Sequence, residues 1–262
     1  MAFESMMDED PVHLKFLFVK YGEDSHKCPT SKTLLIVHLS LLGLKPSRMM
    51  IQEPILIIMT LYMSLVYGIL YLGFFSYPIS FQFDRGIEFG ISSLPFLALL
   101  TGVLTACAFM IWETPVIYRP KFISKGRIPE ERLIPMMIGS FVLVMGLFWF
   151  AWTSFPSITP WPEIISGAFI GAGFVMVFMS AIIYLVDVYL LSANSAVASN
   201  TVVRSALAAV FPLFATPMYE KLGVQWATSL LGFLCLATVR APLLFYKYGK
   251  RIRSWSKFAY DL

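Results

Sequence analysis

The chain has 262 residues, of which 58% are hydrophobic and 14% charged, whereas a soluble domain carries charge on roughly a quarter of its residues. A net charge of +4 does not point to nucleic acid, and three cysteines, Cys28, Cys107 and Cys235, are too few and too scattered for a disulfide framework. No His/Cys cluster with metal-ligand spacing, phosphate-binding loop, nucleophile elbow or pair of catalytic carboxylates occurs, so neither an enzyme nor a metal- or cofactor-dependent protein is expected.

Residues 1–53 read as a poorly ordered cytoplasmic segment. The early acids Glu4, Asp8, Glu9 and Asp10 are wrong for the basic start of a secretory leader. All three histidines, His13, His26 and His38, lie here. The apolar stretch Thr33–Leu44 has only 12 residues, where a membrane-spanning helix needs about 20.

From Pro54 onward, long apolar runs recur at about 54–81, 88–112, 133–154, 163–190, 195–218 and 224–246, each long enough to cross a bilayer with some tilt. None alternates apolar with polar residues, which excludes barrel strands, and backbone amides in lipid must then be satisfied within helices. The expected fold is therefore all-α, an integral membrane bundle of six helices. Pro78, Pro95, Pro135, Pro212 and Pro217 fall within the runs, either as passive kinks or as hinges. A polar loop at 113–132 joins the second and third runs, and a basic tail occupies 247–262.

Basic residues fix an expected orientation. Six precede the first run (Lys15, Lys20, Lys27, Lys32, Lys45, Arg48), five lie in the 113–132 loop (Arg119, Lys121, Lys125, Arg127, Arg132) and five in the tail (Lys247, Lys250, Arg251, Arg253, Lys257). The opposite connections hold only Arg85 and Lys221. The positive-inside rule places both termini and the long loop in the cytoplasm, and Trp112, Trp161 and Trp226 near run ends fit an aromatic belt. Topology and lipid headgroups account for the basic clusters, and no nucleic-acid partner is expected.

Ionisable groups inside spans are expensive and mark candidate sites. Asp187 lies late in the fourth run and shares a helix face with Tyr184, three residues earlier. Arg204 lies early in the fifth, four residues after Asn200 on the same face. Both charges lie toward the cytoplasmic side and are expected to meet, as a gate or proton-linked pair or as a structural salt bridge; snorkelling is the other role open to Arg204. Arg240, in the last run, reads as a snorkelling residue. Gly167 and Gly171, with Gly173 beside them, form a small-residue face for close helix packing. Tyr62, Tyr67 and Tyr71 either line a cavity that stacks a cationic or aromatic solute or serve as packing aromatics.

Several stretches carry a family resemblance: Lys45-Pro46-Ser47-Arg48 before Gln52-Glu53-Pro54-Ile55, Pro129-Glu130-Glu131-Arg132-Leu133, and Gly146-Leu147-Phe148-Trp149-Phe150-Ala151-Trp152-Thr153. Tyr184-Leu185-Val186-Asp187-Val188-Tyr189, Ala198-Ser199-Asn200-Thr201 through Arg204-Ser205, Phe211-Pro212-Leu213-Phe214-Ala215, Gly223-Val224-Gln225-Trp226-Ala227 and Phe245-Tyr246-Lys247-Tyr248-Gly249 continue it. Over about 45–253 the chain resembles the C-terminal six-helix half of fungal major facilitator superfamily transporters, in the drug:proton antiporter branch of multidrug and polyamine exporters; residues 1–44 show no such likeness. The resemblance implies a multi-pass membrane transporter, in the plasma membrane rather than the vacuole. Small organic or cationic solutes would sit between two six-helix halves near the midplane and be exported against protons. Its partners would be the lipid bilayer and a second half, supplied by a homodimer or a separate N-terminal half. The alternative is a non-transporting, truncated or regulatory membrane protein.

Overall fold

The computed structural model describes residues 47, 49–88, 90–120, 123, 129–253 and 256. The Thr33–Leu44 stretch, the histidines, Cys28, all six basic residues of the N-terminal segment, Lys121, Lys125 and Arg127 of the loop, and Lys257 of the tail lie outside them.

The described residues form helices without a strand. Helix α1 spans Pro54–Pro78 and continues as a wider π turn over Ile79–Asp84. Pro78 supplies no backbone N–H, and the hydrogen-bond ladder loosens from that point. A 3-10 turn, Ile91–Ser93, leads into α2, Pro95–Glu113, which runs on through a π turn, Thr114–Tyr118. The 3-10 turn Pro129–Arg132 opens α3, Leu133–Thr153. Helix α4 spans Pro160–Tyr189, α5 spans Ala193–Thr238 and α6 spans Arg240–Arg253. Prolines Pro54, Pro95 and Pro160 open α1, α2 and α4, where the missing N–H is an orphan in any helix.

Five helical stretches among the described residues are long and apolar enough to cross a membrane: Pro54–Asp84, Ile91–Tyr118, Pro129–Thr153, Pro160–Tyr189 and Ala193–Gly249. The last, at 57 residues, contains both the fifth and sixth runs expected from the sequence. It is not one rod. Gly223 has φ 72° and ψ 164°, a conformation essentially reserved for glycine. Before it, Asn200 donates to Thr60 Oγ1 (3.0 Å) and the Tyr219 hydroxyl to the Leu72 carbonyl (3.1 Å), so residues 193–222 run parallel to α1. After it, Gln225 Nε2 donates to the Ser154 carbonyl (3.4 Å), Gly232 packs on the Phe148 ring and Arg253 pairs with Glu130 (3.0 Å), so the chain returns antiparallel to α3. The bundle thus has six passes. Helix reaches well into both regions read as polar, to Tyr118 in the loop and to Arg253 in the tail.

The remaining directions follow from contacts in the same way. Tyr189 donates to Glu53 Oε2 (3.0 Å) and Ser80 to Glu163 Oε1 (2.5 Å), so α4 is antiparallel to α1. The Tyr62 and Ser140 hydroxyls (2.8 Å) and the Tyr77 and Phe150 rings (5.0 Å) set α3 parallel to α1. One end of the bundle carries Glu53, Glu130, Arg132, Asp187 and Arg253; the other carries Arg85 and Glu163.

Lipid tails are as apolar as leucine, so helices in a membrane associate through close packing and polar contacts. The glycines of α4 provide it on two sides. A Cβ on Gly167 would collide with the Tyr77 hydroxyl, and one on Gly171 with the Leu99 carbonyl, so this face holds α1 and α2. A Cβ on Gly173 would lie 2.5 Å from the Leu143 nitrogen, so this glycine instead admits α3.

Candidate solute-binding face

Four helices bring an arginine and a set of aromatic rings together halfway along the bundle. Tyr67 and Tyr71 are one turn apart on α1, and Phe174 and Phe178 one turn apart on α4, so each pair presents side by side. The Phe174 and Phe178 rings stack at 5.4 Å, and Tyr67 stacks on them at 6.2 and 5.9 Å. Tyr71 meets Tyr67 edge-on at 5.0 Å, Phe74 meets Tyr71 at 6.1 Å and Phe96 of α2 meets Phe74 at 5.8 Å. The Tyr67 and Tyr71 hydroxyls lie 3.4 Å apart.

Arg204 of α5 lies against this cluster, its guanidinium carbon 4.3 Å from the Phe178 centroid and 4.8 Å from that of Tyr67. It sits eleven residues into a helix beginning at Ala193, about 16 Å along the axis. The side chain is half-buried, and its Nε finds no acceptor among the described residues. Cation–π contact is what holds it, worth about 0.5–2 kcal/mol per ring according to desolvation.

The expected Asp187–Arg204 pair does not form. Asp187 is buried two residues before the end of α4, and Arg132 Nε reaches its Oδ2 at 3.4 Å from the turn that opens α3. Arg132 also lies over the Tyr118 ring, 3.4 Å from its centroid. The two charges expected to meet stand at different depths along the bundle. Arg204 does not reach for a helix end either, since its guanidinium lies over the Tyr67 and Phe178 rings halfway along the bundle. Asn200, one turn before Arg204, faces α1, bonded to Thr60 Oγ1 and 3.4 Å from Met63 Sδ. Tyr184 is fully buried, its ring 6.2 Å from Phe245. Neither Asn200 nor Tyr184 joins the aromatic face.

Of the three tyrosines expected to line a cavity, Tyr67 and Tyr71 belong to this face, while Tyr62 is buried against Ser140. The ring surface expected to stack a cationic solute is already occupied by Arg204. Phe174, Phe178, Phe74 and Phe96 were not picked out from the sequence, although the four-residue spacing of Phe174 and Phe178 is visible there. Arg240, expected to snorkel, is exposed, as are Trp112, Trp161 and Trp226. Cys235 is buried and Cys107 half-buried, as apolar fillers.

Each end of the bundle is closed by ion pairs. At one end, Arg85 reaches Glu163 Oε2 (2.7 Å) and the carbonyls of Ile158 (2.7 Å), Thr153 (3.2 Å) and Phe155 (3.3 Å). At the other, Arg253 pairs with Glu130, and Ser256 bonds to the same Glu53 oxygen that accepts from Tyr189.

No protein-family model and no solved structure matches the chain. Curated proteins do. The MFS-type transporter traF of Penicillium crustosum is 52% identical over 82% of this chain and 45% of its own length. The citrinin biosynthesis cluster MFS transporter ctnC of Monascus purpureus is 52% identical over 82% of this chain and 42% of its own length. The ascochitine biosynthesis cluster MFS transporter of Didymella fabae is 44% identical over 98% of this chain and 46% of its own length, so the likeness extends into the first 44 residues, where the motifs alone revealed none. The chain spans about half the length of these relatives. With about half its residues shared across most of its length, and an apolar helical bundle to match, the chain belongs to the major facilitator superfamily of fungal membrane transporters.

Proposed function

We propose that this chain is the C-terminal half of a plasma-membrane exporter for small organic solutes, and that the solute passes along the face formed by Tyr67, Tyr71, Phe174, Phe178 and Arg204. A second six-helix unit, from a homodimer or a separate N-terminal half, would cover that face and complete the path. The observation that carries the reading is a positive charge held at mid-depth among rings, without an acidic partner from this bundle. An ionisable group so placed is expensive and marks a solute or ion path by default. The relatives named for citrinin and ascochitine biosynthesis clusters support a small organic solute. The alternative of a non-transporting regulatory chain draws no support from these relatives, which are named as transporters.

Coupling to protons and the outward direction rest on family resemblance. The described carboxylates of the bundle stand toward its ends, among them Glu53, Glu130, Asp187 and Glu163, and none pairs with Arg204. The chain, reconstituted in phosphatidylcholine vesicles preloaded with a naphthalene-ring solute, should release it faster than protein-free vesicles under a proton gradient directed against the efflux. A protonophore should abolish the difference. Release at the protein-free rate by a chain that crosslinks only as a monomer would overturn transport by this chain.

A further inference from the structure

The Arg204 face carries more information than the presence of a path, because its charge is one-sided. Three things coincide there. The guanidinium is planar and offers several N–H donors in a fixed fork, the geometry that grips a carboxylate through two parallel bonds. The rings of Phe174, Phe178 and Tyr67, stacked 5.4–6.2 Å apart, form a flat apolar wall beside it. The paired Tyr67 and Tyr71 hydroxyls, 3.4 Å apart, stand at the edge of that wall with donors of their own.

A cationic solute meets two obstacles here. It would bring a second positive charge into a weakly screened region, and the Phe178 and Tyr67 faces that would stack it already hold Arg204, at 4.3 and 4.8 Å. An anion meets the opposite conditions. It neutralises Arg204 and accepts from its guanidinium, which has no carboxylate partner among the described residues. A flat ring attached to the anion would extend along Phe174, the ring of this wall that Arg204 does not lie over, where stacking adds to the charge-assisted bonds.

We infer that the face around Arg204 is an anion subsite that selects planar aromatic acids, with the carboxylate on Arg204 and the Tyr71 hydroxyl and the ring against Phe174. This rests on the reading of that face as the solute path, and it names the charge class that the path prefers. Phe174 acts as the shape-selecting residue, and Arg204 as the charge-selecting one.

Three probes with one ring system separate charge from stacking: 2-naphthoate, 2-naphthylmethanol and 2-naphthylmethylammonium. Equilibrium dialysis against the full chain in neutral detergent, without anionic lipid, gives the affinity for each. The expected order is naphthoate, then the alcohol, then the ammonium, with the anion at least about tenfold tighter than the cation. Arg204→Gln should lower the ratio of naphthoate to naphthylmethanol affinity about tenfold, and Arg204→Lys, which keeps the charge but loses the fork, should lower it less. Inorganic phosphate, with charge but no ring, should compete weakly.

Equal or tighter binding of the ammonium by the wild-type chain overturns the inference, and this arm does not depend on any variant folding. So does competition by phosphate as strong as that by naphthoate, which would mark a general anion or headgroup site. Binding of the alcohol without charge preference removes the anion subsite and leaves the solute path standing. Failure of all three probes to bind removes both.

Discussion

Arg85 does two things at once: it neutralises a carboxylate and it binds backbone. Glu163 is fully buried and its charge is held by Arg85 at 2.7 Å and by the Ser80 hydroxyl. Removing the arginine alone strands a buried charge, which costs about 3–5 kcal/mol, whereas replacing both partners by apolar groups removes the charge with its counter-charge. Arg85→Met should therefore lower the melting temperature in detergent more than Arg85→Met with Glu163→Leu. The recovery will be incomplete, because Arg85 also serves the carbonyls of Ile158, Thr153 and Phe155. Equal melting of the two variants would show that these carbonyl bonds, and not the ion pair, hold the α3–α4 connection. The same scale explains why the expected Asp187–Arg204 pair fails. Sequence order places both residues toward one side of the membrane, but Asp187 stands two residues from a helix end and Arg204 eleven residues from one. At 1.5 Å per residue that separation was legible in depth. What was not legible is azimuth: which neighbour each side chain faces depends on helix rotation, and it assigns Arg132 to Asp187 and rings to Arg204.

The helices themselves were legible because the length of an apolar run is set by bilayer thickness, and these runs satisfy it with little ambiguity. Their ends were less so. Glu113 looks like the start of a polar loop, yet it is buried in the last turn of α2, and helix continues to Tyr118. The α5 hairpin is the sharpest case. Between Leu222 and Val224 the chain reverses on a single residue, with no polar loop long enough to announce it. That reversal requires the φ of 72° and ψ of 164° at Gly223, which a Cβ disfavours. Gly223→Ala should therefore destabilise the bundle by about 1–3 kcal/mol, seen as a lower melting temperature. It should also weaken a disulfide crosslink engineered between positions 154 and 225, whose native partners are joined by the Gln225 Nε2 bond to the Ser154 carbonyl. Unchanged melting and crosslinking would mean that the turn tolerates a side chain and that packing of residues 224–253 alone dictates the fold-back.

For the molecule as a whole, contacts and charge give the same division into two ends. Arg119, Arg132, Lys247, Arg251 and Arg253 belong to helix ends or turns on the Glu53 side, and Arg85 and Lys221 to the Glu163 side. The structure fixes which groups share an end; the membrane sidedness of each end is a prediction from the positive-inside rule. The anionic inner leaflet attracts the richer end, at about 1 kcal/mol per basic residue near the surface. Lys247 and Lys221 are both exposed and stand on opposite ends, so they report sidedness directly. In a chain with Cys28, Cys107 and Cys235 replaced, Lys221→Cys should react with a membrane-impermeant maleimide in intact cells. Lys247→Cys should react only after permeabilisation. The reverse pattern would invert the bundle and make the basic end extracellular. Labelling of both from outside would contradict the fold-back at Gly223 itself, because only an odd number of crossings separates position 221 from position 247. The single pass formed by residues 224–246 is therefore the element that this measurement isolates, and the orientation of α1, α3, α4 and residues 193–222 follows from it through the parallel and antiparallel contacts among them.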